Sequence, residues 1–472
     1  MKITWTRLKG ACLLLLGMAT MGDGQSFAAG INTQGFVAIA EKSSEKTAAK
    51  TEASPFKDES VSASVRAVPV ESAMPTCSPS WAARIACDSD NFVGAPGRFW
   101  FRGEYLNWQT SGSHLPLLVA SDDGEGYMPI FGDREIRNGS HEGYRINFGM
   151  WLDCTHCWGL EADYIDVTGR PDNYDSGLVT GNGSITATNP LTIIRPYYGP
   201  DPSYVDGPQR NIVGLSNAVT GRVTVETNDY FQSAGLWLRH QLRASEWSTN
   251  NGDVNWTDSC ARTFRLDAIG GYRFARLVDK VNIHHDETDV SGAVDQGGIG
   301  NSTTYIYDDN YRAGNTFNGG ELGFNAVYTH GRWSLDVVSK TAIGFNSQYV
   351  KMYNRGVRDN RDNVPEPPDV VVQGTGYDNR QVQPFSQNRF SAIPELNVTG
   401  GYQITDHVKF TVGYDLLYWS AVVRAADQIP VEPTTGLPYG TQVGVNSTAP
   451  EPTMKESHFW AQGLRVGGEY RF

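Results

Sequence analysis

From Arg98 onward, apolar and polar residues alternate with a period of two over segments of about 10 to 15 residues, the spacing of strands whose faces meet different surroundings. In 144–153, Tyr144, Ile146, Phe148, Met150 and Leu152 oppose Arg145, Asn147, Gly149 and Asp153, with only Trp151 out of step. In 262–274, Phe264, Leu266, Ala268, Tyr272 and Phe274 oppose Thr263, Arg265, Asp267, Gly271 and Arg273. The split recurs in 333–346, in 408–418 and in the last segment, where Trp460, Leu464, Val466, Tyr470 and Phe472 oppose Gly463, Arg465, Gly467, Glu469 and Arg471. A soluble β-sandwich also alternates, but its strands usually run about five or six residues. Here the segments are longer, and Trp, Tyr and Phe gather at their ends as in interfacial girdles. The pattern predicts an all-β fold, a transmembrane antiparallel up-and-down β-barrel.

Strands are expected near 98–110, 143–153, 158–168, 223–241, 262–274, 277–286, 314–329, 333–350, 391–404, 407–423 and 457–472. Very short turns at 154–157, 275–277, 330–332 and 405–406 alternate with polar loops of roughly 20 to 50 residues, the asymmetry of short periplasmic turns and long extracellular loops. Eleven strands would put the 242–261 loop on the periplasmic side. A hairpin near Thr227–Asp229 removes the conflict and gives about twelve strands with both termini periplasmic.

Ahead of the barrel, 98–472, residues 1–29 read as a cleaved secretory signal peptide: Lys2, Arg7 and Lys9 precede an apolar run, Ala11 to Ala19, and small residues follow at Ala28 and Ala29. Cys12 opens that run rather than following it, so a lipid anchor is rejected. Residues 30–97, rich in Ala, Ser, Glu, Lys and Thr, read as a disordered periplasmic leader. After residue 30 no run of about 18 apolar residues offers a membrane helix. A net charge of -13 without clustered Lys and Arg argues against a nucleic-acid partner.

Several segments resemble the planctomycete-type outer-membrane β-barrel porin family numbered seven: FWFRGEYLNW (99–108) followed by HLPLLVAS, the pair GYRINFGMWLD and WGLEADY, RTFRLDAIGGYRF, GELGFNAVYTHGRWSLDVVSKTAIG, VGYDLLYWSAVVR and the close HFWAQGLRVGGEYRF. The resemblance implies a porin-like barrel in the cell outer membrane and supplies no catalytic or ligand-binding residues.

Alternation assigns a lumen-facing set of mixed charge: Arg102, Arg145, Arg265, Arg273, Lys340, Lys409, Arg465 and Arg471 against Glu104, Glu161, Asp163, Asp267, Glu321, Asp336, Asp415 and Glu469. Two readings stand. A bore of about twelve strands holds water and its charges face small polar solutes with weak ion selectivity, or the charges interlock as salt bridges across a narrow, closed lumen. If lipid meets Leu266 and Val412, arginine there costs about 2 to 4 kcal/mol near the midplane, and arginine at lumen-facing Gly271 costs less unless it clashes.

Cys154 and Cys157 have the spacing of a redox or metal half-site, but a single pair in a tight turn is better read as a local disulfide or two turn thiols. Cys77 and Cys87 close a small loop in the leader, and Cys260 is left over. The cluster His284, His285, Asp286, Glu287 and Asp289 is favoured as a solvated acidic loop over a calcium site, since it lacks the twelve-position calcium pattern. No metal, cofactor or catalytic constellation is expected. The leading expectation is passive diffusion of small hydrophilic solutes. The alternative is a non-conducting structural or adhesive barrel acting through loops 110–142, 169–222, 354–388 and 425–456. Expected partners are outer-membrane lipid, the barrel-assembly machinery through the terminal strand with Phe472 as its signal, and further copies in a homo-oligomer.

Overall fold

The computed structural model describes residues 98–122, 127–137, 139–153, 156–179, 192–199, 207–214, 219–247, 262–289, 303–360, 370–372, 384–431 and 454–472. The expected signal peptide and leader, with Cys77, Cys87, Cys154 and Cys260, lie outside them.

Ten antiparallel strands form the ring: β1 Phe99–Thr110, β2 Ser140–Trp151, β3 Trp158–Thr168, β4 Val219–Trp247, β5 Arg262–Asp289, β6 Thr303–His330, β7 Trp333–Asn360, β8 Phe385–Gln403, β9 Val408–Val423 and β10 Glu456–Arg471. Each pairs with its sequence neighbours, and β1 pairs with β10 from Trp100 opposite Arg471 to Thr110 opposite Ala461. All backbone hydrogen bonding across the lipid layer is thereby satisfied without an open edge. Among the described residues no helix is long and apolar enough to cross a membrane.

Ten replaces the expected twelve, and one cause explains both errors. The segment 223–241 is no hairpin but the middle of β4, and 275–277 is no turn but the middle of β5. On β5 the outward residues are apolar up to Tyr272 and Phe274, then become Arg276, Lys280, Asn282 and His284, with buried Val278 the exception; the inward residues are Arg265, Asp267 and Arg273, then Ala275, Leu277, Val281 and Ile283, with Asp279 the exception. The apolar side changes face at the top of the lipid layer while the chain runs straight on. In sequence that exchange of phase looks like a break.

The outward belt carries large exposed apolar side chains such as Leu322, Phe345, Phe390 and Trp333, each more than 60% exposed. On β5 it covers 262–274, which at about 3.3 Å per residue and a tilt near 40° rises about 30 Å, the thickness of a hydrocarbon core. The remaining part of this 28-residue strand stands above it, and β4, β6 and β7 rise with it.

The short connections 331–332 and 404–407 lie at one end, as do Asp153 and Trp158, and so do the close of β4 at Trp247 and the opening of β5 at Arg262, contrary to the expectation that kept the 242–261 loop away from the turn end. The long loops are not merely polar covers. Ser113–Leu115 pairs with Arg134–Ile136, while Val119–Asp122, Tyr127–Phe131, Thr192–Gly199 and Gly207–Gly214 form a second four-stranded sheet. Leu115, Leu118, Val119, Phe131, Ile136, Ile194 and Val213 from these segments are buried, and most pack with inward Val223, Val225, Val281, Ile283, Tyr311 and Met352 of the wall. Loop segments therefore fill the barrel above the lipid layer.

Candidate functional site

The lumen is a stack of layers. Lowest, within the lipid belt, lie the charges. All sixteen residues assigned to the lumen by alternation have inward register; twelve are buried, and Arg102, Glu161, Arg265 and Arg471 are half-buried. Two more of the layer went unassigned, Arg239 on β4 and Glu395 on β8, and they bring the balance to nine cations and nine anions. Arg239 repeats the parity of Gly235 and Trp237, and Glu395 that of Asn397 and Thr399, so the phase of each strand contained the signal.

Glu395 is the hub. It sits 3.5 Å from both Arg145 on β2 and Lys340 on β7, and pairs directly with Arg273 on β5. Since β9, β10 and β1 stand between β8 and β2 in the ring, the contact with Arg145 spans the bore. Around it Arg273 meets Glu321 at 2.8 Å, Arg145 meets Asp163 at 2.8 Å, Arg465 bridges Glu104 at 3.0 Å and Asp415 at 3.1 Å, and Arg239 joins Glu161 and Asp267, both at 2.9 Å. Each of these charges is offset by an opposite one, the condition under which burial is tolerable.

A cavity of about 40 Å³ remains among Trp100, Glu104, Arg145, Lys340, Asn397 and Arg465, room for one or two waters. Lys340 Nζ and Asn397 Oδ1 face no hydrogen-bond partner among the described residues, a lining that suits trapped water rather than a wide aqueous channel. Gly271 cannot take the arginine that alternation alone would allow, because a Cβ there runs into the backbone of Leu236 and Trp237.

Above the charges comes an apolar layer made by the wall itself: Leu106, Trp108, Phe231, Phe317, Trp419 and Phe459 are buried together with smaller neighbours. Phe231 stacks on Phe459 with centroids 5.4 Å apart and meets Trp419 edge-on at 6.4 Å. A polar layer follows, holding Asp229, Asp279, Asn315, Asn346 and Gln348, and the loop-filled apolar cluster lies above that.

The His284–Asp289 cluster is divided by the strand. Adjacent side chains on β5 point to opposite faces, so His284 meets Asp308 on the outside at 2.6 Å while His285 is buried inside beside Arg195 at 3.0 Å. Burial, with Arg195 next to it, holds the His285 imidazole well below its ordinary range. Among the described residues no three His, Cys, Asp or Glu side chains gather as a metal site. At the turn end Cys157 is disulfide-bonded. Asp153 shapes that turn by accepting from the backbone N–H of Cys157 at 3.1 Å and of Trp158 at 2.7 Å.

Residues 100–472 match the family described as "Putative beta barrel porin-7". No curated protein matches the sequence. Among solved structures, the outer membrane protease OmpT from Escherichia coli is similar at 10% identity, with 80% of this chain and 98% of that chain covered and a TM-score of 0.33. The P. putida toluene transporter TodX follows at 11% identity, 80% and 90% coverage and a TM-score of 0.20. A Pseudomonas aeruginosa FadL homologue has 8% identity, 79% and 89% coverage and a TM-score of 0.15. Likenesses this low carry no argument about this chain.

Proposed function

The chain belongs to the beta barrel porin-7 family, and from that premise we propose that it is an outer-membrane channel for small hydrophilic solutes whose lumen is shut at rest and opens by rearrangement of its filling. One observation carries the reading: the upper lumen is filled by loop segments, which can withdraw, and not by the wall, which cannot. Beneath them a charge-balanced polar layer spans the bore, and its mixed signs would favour weakly selective passage. No catalytic role is assigned.

A second reading is favoured by the ion pairs that cross the axis and by the aromatic layer above them, both built from wall side chains. On that reading the barrel never conducts and acts through its loops. Single-channel recording of the refolded protein in a planar bilayer separates the two. Discrete openings between long closures support the gated channel; a folded barrel silent over the full voltage range supports the structural one.

A further inference from the structure

Just above the lipid belt, where Arg276 and Lys280 already face outward on β5, two wall carboxylates point inward side by side. Asp229 on β4 and Asp279 on β5 are direct register partners, and like charges so placed destabilise a strand pair unless cations answer them. The arginines that do so, Arg137 and Arg424, both come from the long loops, and both are buried.

Asp279 joins the two loops. Its Oδ1 takes the guanidinium of Arg137 from the β1–β2 connection; its Oδ2 accepts from Arg424 Nε at 2.9 Å and from the backbone N–H of Ala425 at 3.1 Å, in the chain leaving β9. Each arginine then fastens the other elements around it. Arg424 donates to the carbonyl of Ser111 at 3.2 Å, and Arg137 donates to the carbonyl of Asn228 at 3.2 Å and to Ser113 Oγ at 3.3 Å. Below, Asn315 exchanges two hydrogen bonds of 2.8 Å with the backbone of Val423, while Asn346 and Gln348 donate to the Ala421 carbonyl at 2.8 and 2.6 Å.

A left-handed residue lies near each set of contacts, Arg137 at φ 58° in the first loop and Ala421 at φ 52° shortly before β9 ends. A side chain in that conformation is held there by its surroundings and relaxes when they let go. Once inside, Ala425, Ala426 and Ile429 pack with Leu115, Leu118 and Ile136 of the other loop in one buried cluster.

We infer that Asp279 is the latch of a two-loop plug: its carboxylate pins the described segments 111–122 and 127–137 of one loop and 424–431 of the other in the outer mouth, and removing its charge frees both. The function of that latch as a gate rests on the channel reading above; the docking of the loops does not.

The test places a cysteine at buried Ala426 in the full-length refolded protein and follows its modification by a membrane-impermeant maleimide, with protein lacking the added cysteine as background. Heat-modifiable migration scores the folded barrel. The A426C thiol should label slowly with Asp279 present and at least about tenfold faster with Asp279→Asn, since a freed segment opens far more often than a docked one. Arg424→Gln should also speed labelling, and Arg424→Lys, which keeps the charge, should speed it less; this pair decides the matter if the Asp279 variant does not fold. An unchanged rate in folded Asp279→Asn and Arg424→Gln protein overturns the latch. Parallel conductance keeps the two readings apart: fast labelling in a silent barrel upholds the latch and removes the channel, whereas openings without faster labelling keep the channel and overturn the latch.

Discussion

Within the lipid belt and above it, the same strands are built to opposite rules. In the belt, β5 turns Leu266 and Tyr272 outward and Asp267 and Arg273 inward; above it, the strand turns Lys280 and His284 outward and Val281 and Ile283 inward. Below, the surroundings are oil, so apolar side chains lose nothing by exposure and charges must find partners inside. Above, the surroundings are water, and the barrel returns to the ordinary arrangement of a soluble protein, with an apolar interior completed by loops. One wall thus holds two cores, one ionic and one apolar.

The sharpest way to break this comparison is to empty each filling in turn. Glu395→Ala should destabilise the barrel by about 3–5 kcal/mol, because it leaves Arg145, Arg273 and Lys340 without their shared carboxylate. Phe317→Ala in the apolar layer should cost a similar amount, about 3–5 kcal/mol, by leaving a cavity. Guanidinium unfolding in detergent micelles measures both, and a loss below about 1 kcal/mol at Glu395 would mean that the charged layer is hydrated rather than packed.

Next in size is a contrast along the outer face of β6. Leu322→Arg, in the belt, should cost about 2–4 kcal/mol in lipid vesicles. Asn310→Arg, on the same face above the belt, should stay within about 0.5 kcal/mol and is the smallest effect expected. Equal costs would remove the boundary drawn between Phe274 and Arg276.

Between those extremes lies acid. Burial alone would raise the Asp279 carboxyl, but the fields of Arg137 and Arg424 outweigh it and hold the group down at about 2. A carboxylate depressed from an unfolded value near 4 contributes stability above that value, on the order of 2 kcal/mol, and loses it as pH falls towards 2. Read with a pyridyl disulfide, which still reacts with thiols in acid, and normalised to a free thiol at each pH, labelling of A426C should therefore accelerate between about pH 4 and 2, before the belt unfolds.

The belt was legible in the sequence because period-two alternation against lipid is strict: the inward parity of residues such as Arg145, Asp267 and Lys340 follows from their neighbours alone. Strand number was not, because parity assumes constant surroundings, and β4 and β5 cross from oil to water in mid-strand. The hub Glu395 was missed although 391–404 reads as a strand, for its inward phase sets it beside Asn397 and Thr399 rather than among charges. The plug left a trace that went unused: Leu115, Leu118 and Val119 make the HLPLLVAS segment too apolar for a loop lying in water.

The sealing of the charged layer also decides how the molecule meets changes of salinity. Mobile ions weaken only those attractions they can surround, within a Debye length of about 8 Å at physiological ionic strength. Arg273 and Glu321 have side chains 1% and 0% exposed, and no counter-ion reaches between them. Arg222 and Asp175, each 49% exposed above the belt, stand fully in the ionic atmosphere. Brackish or fresh surroundings would thus retune such surface pairs while leaving the buried pairs unmoved.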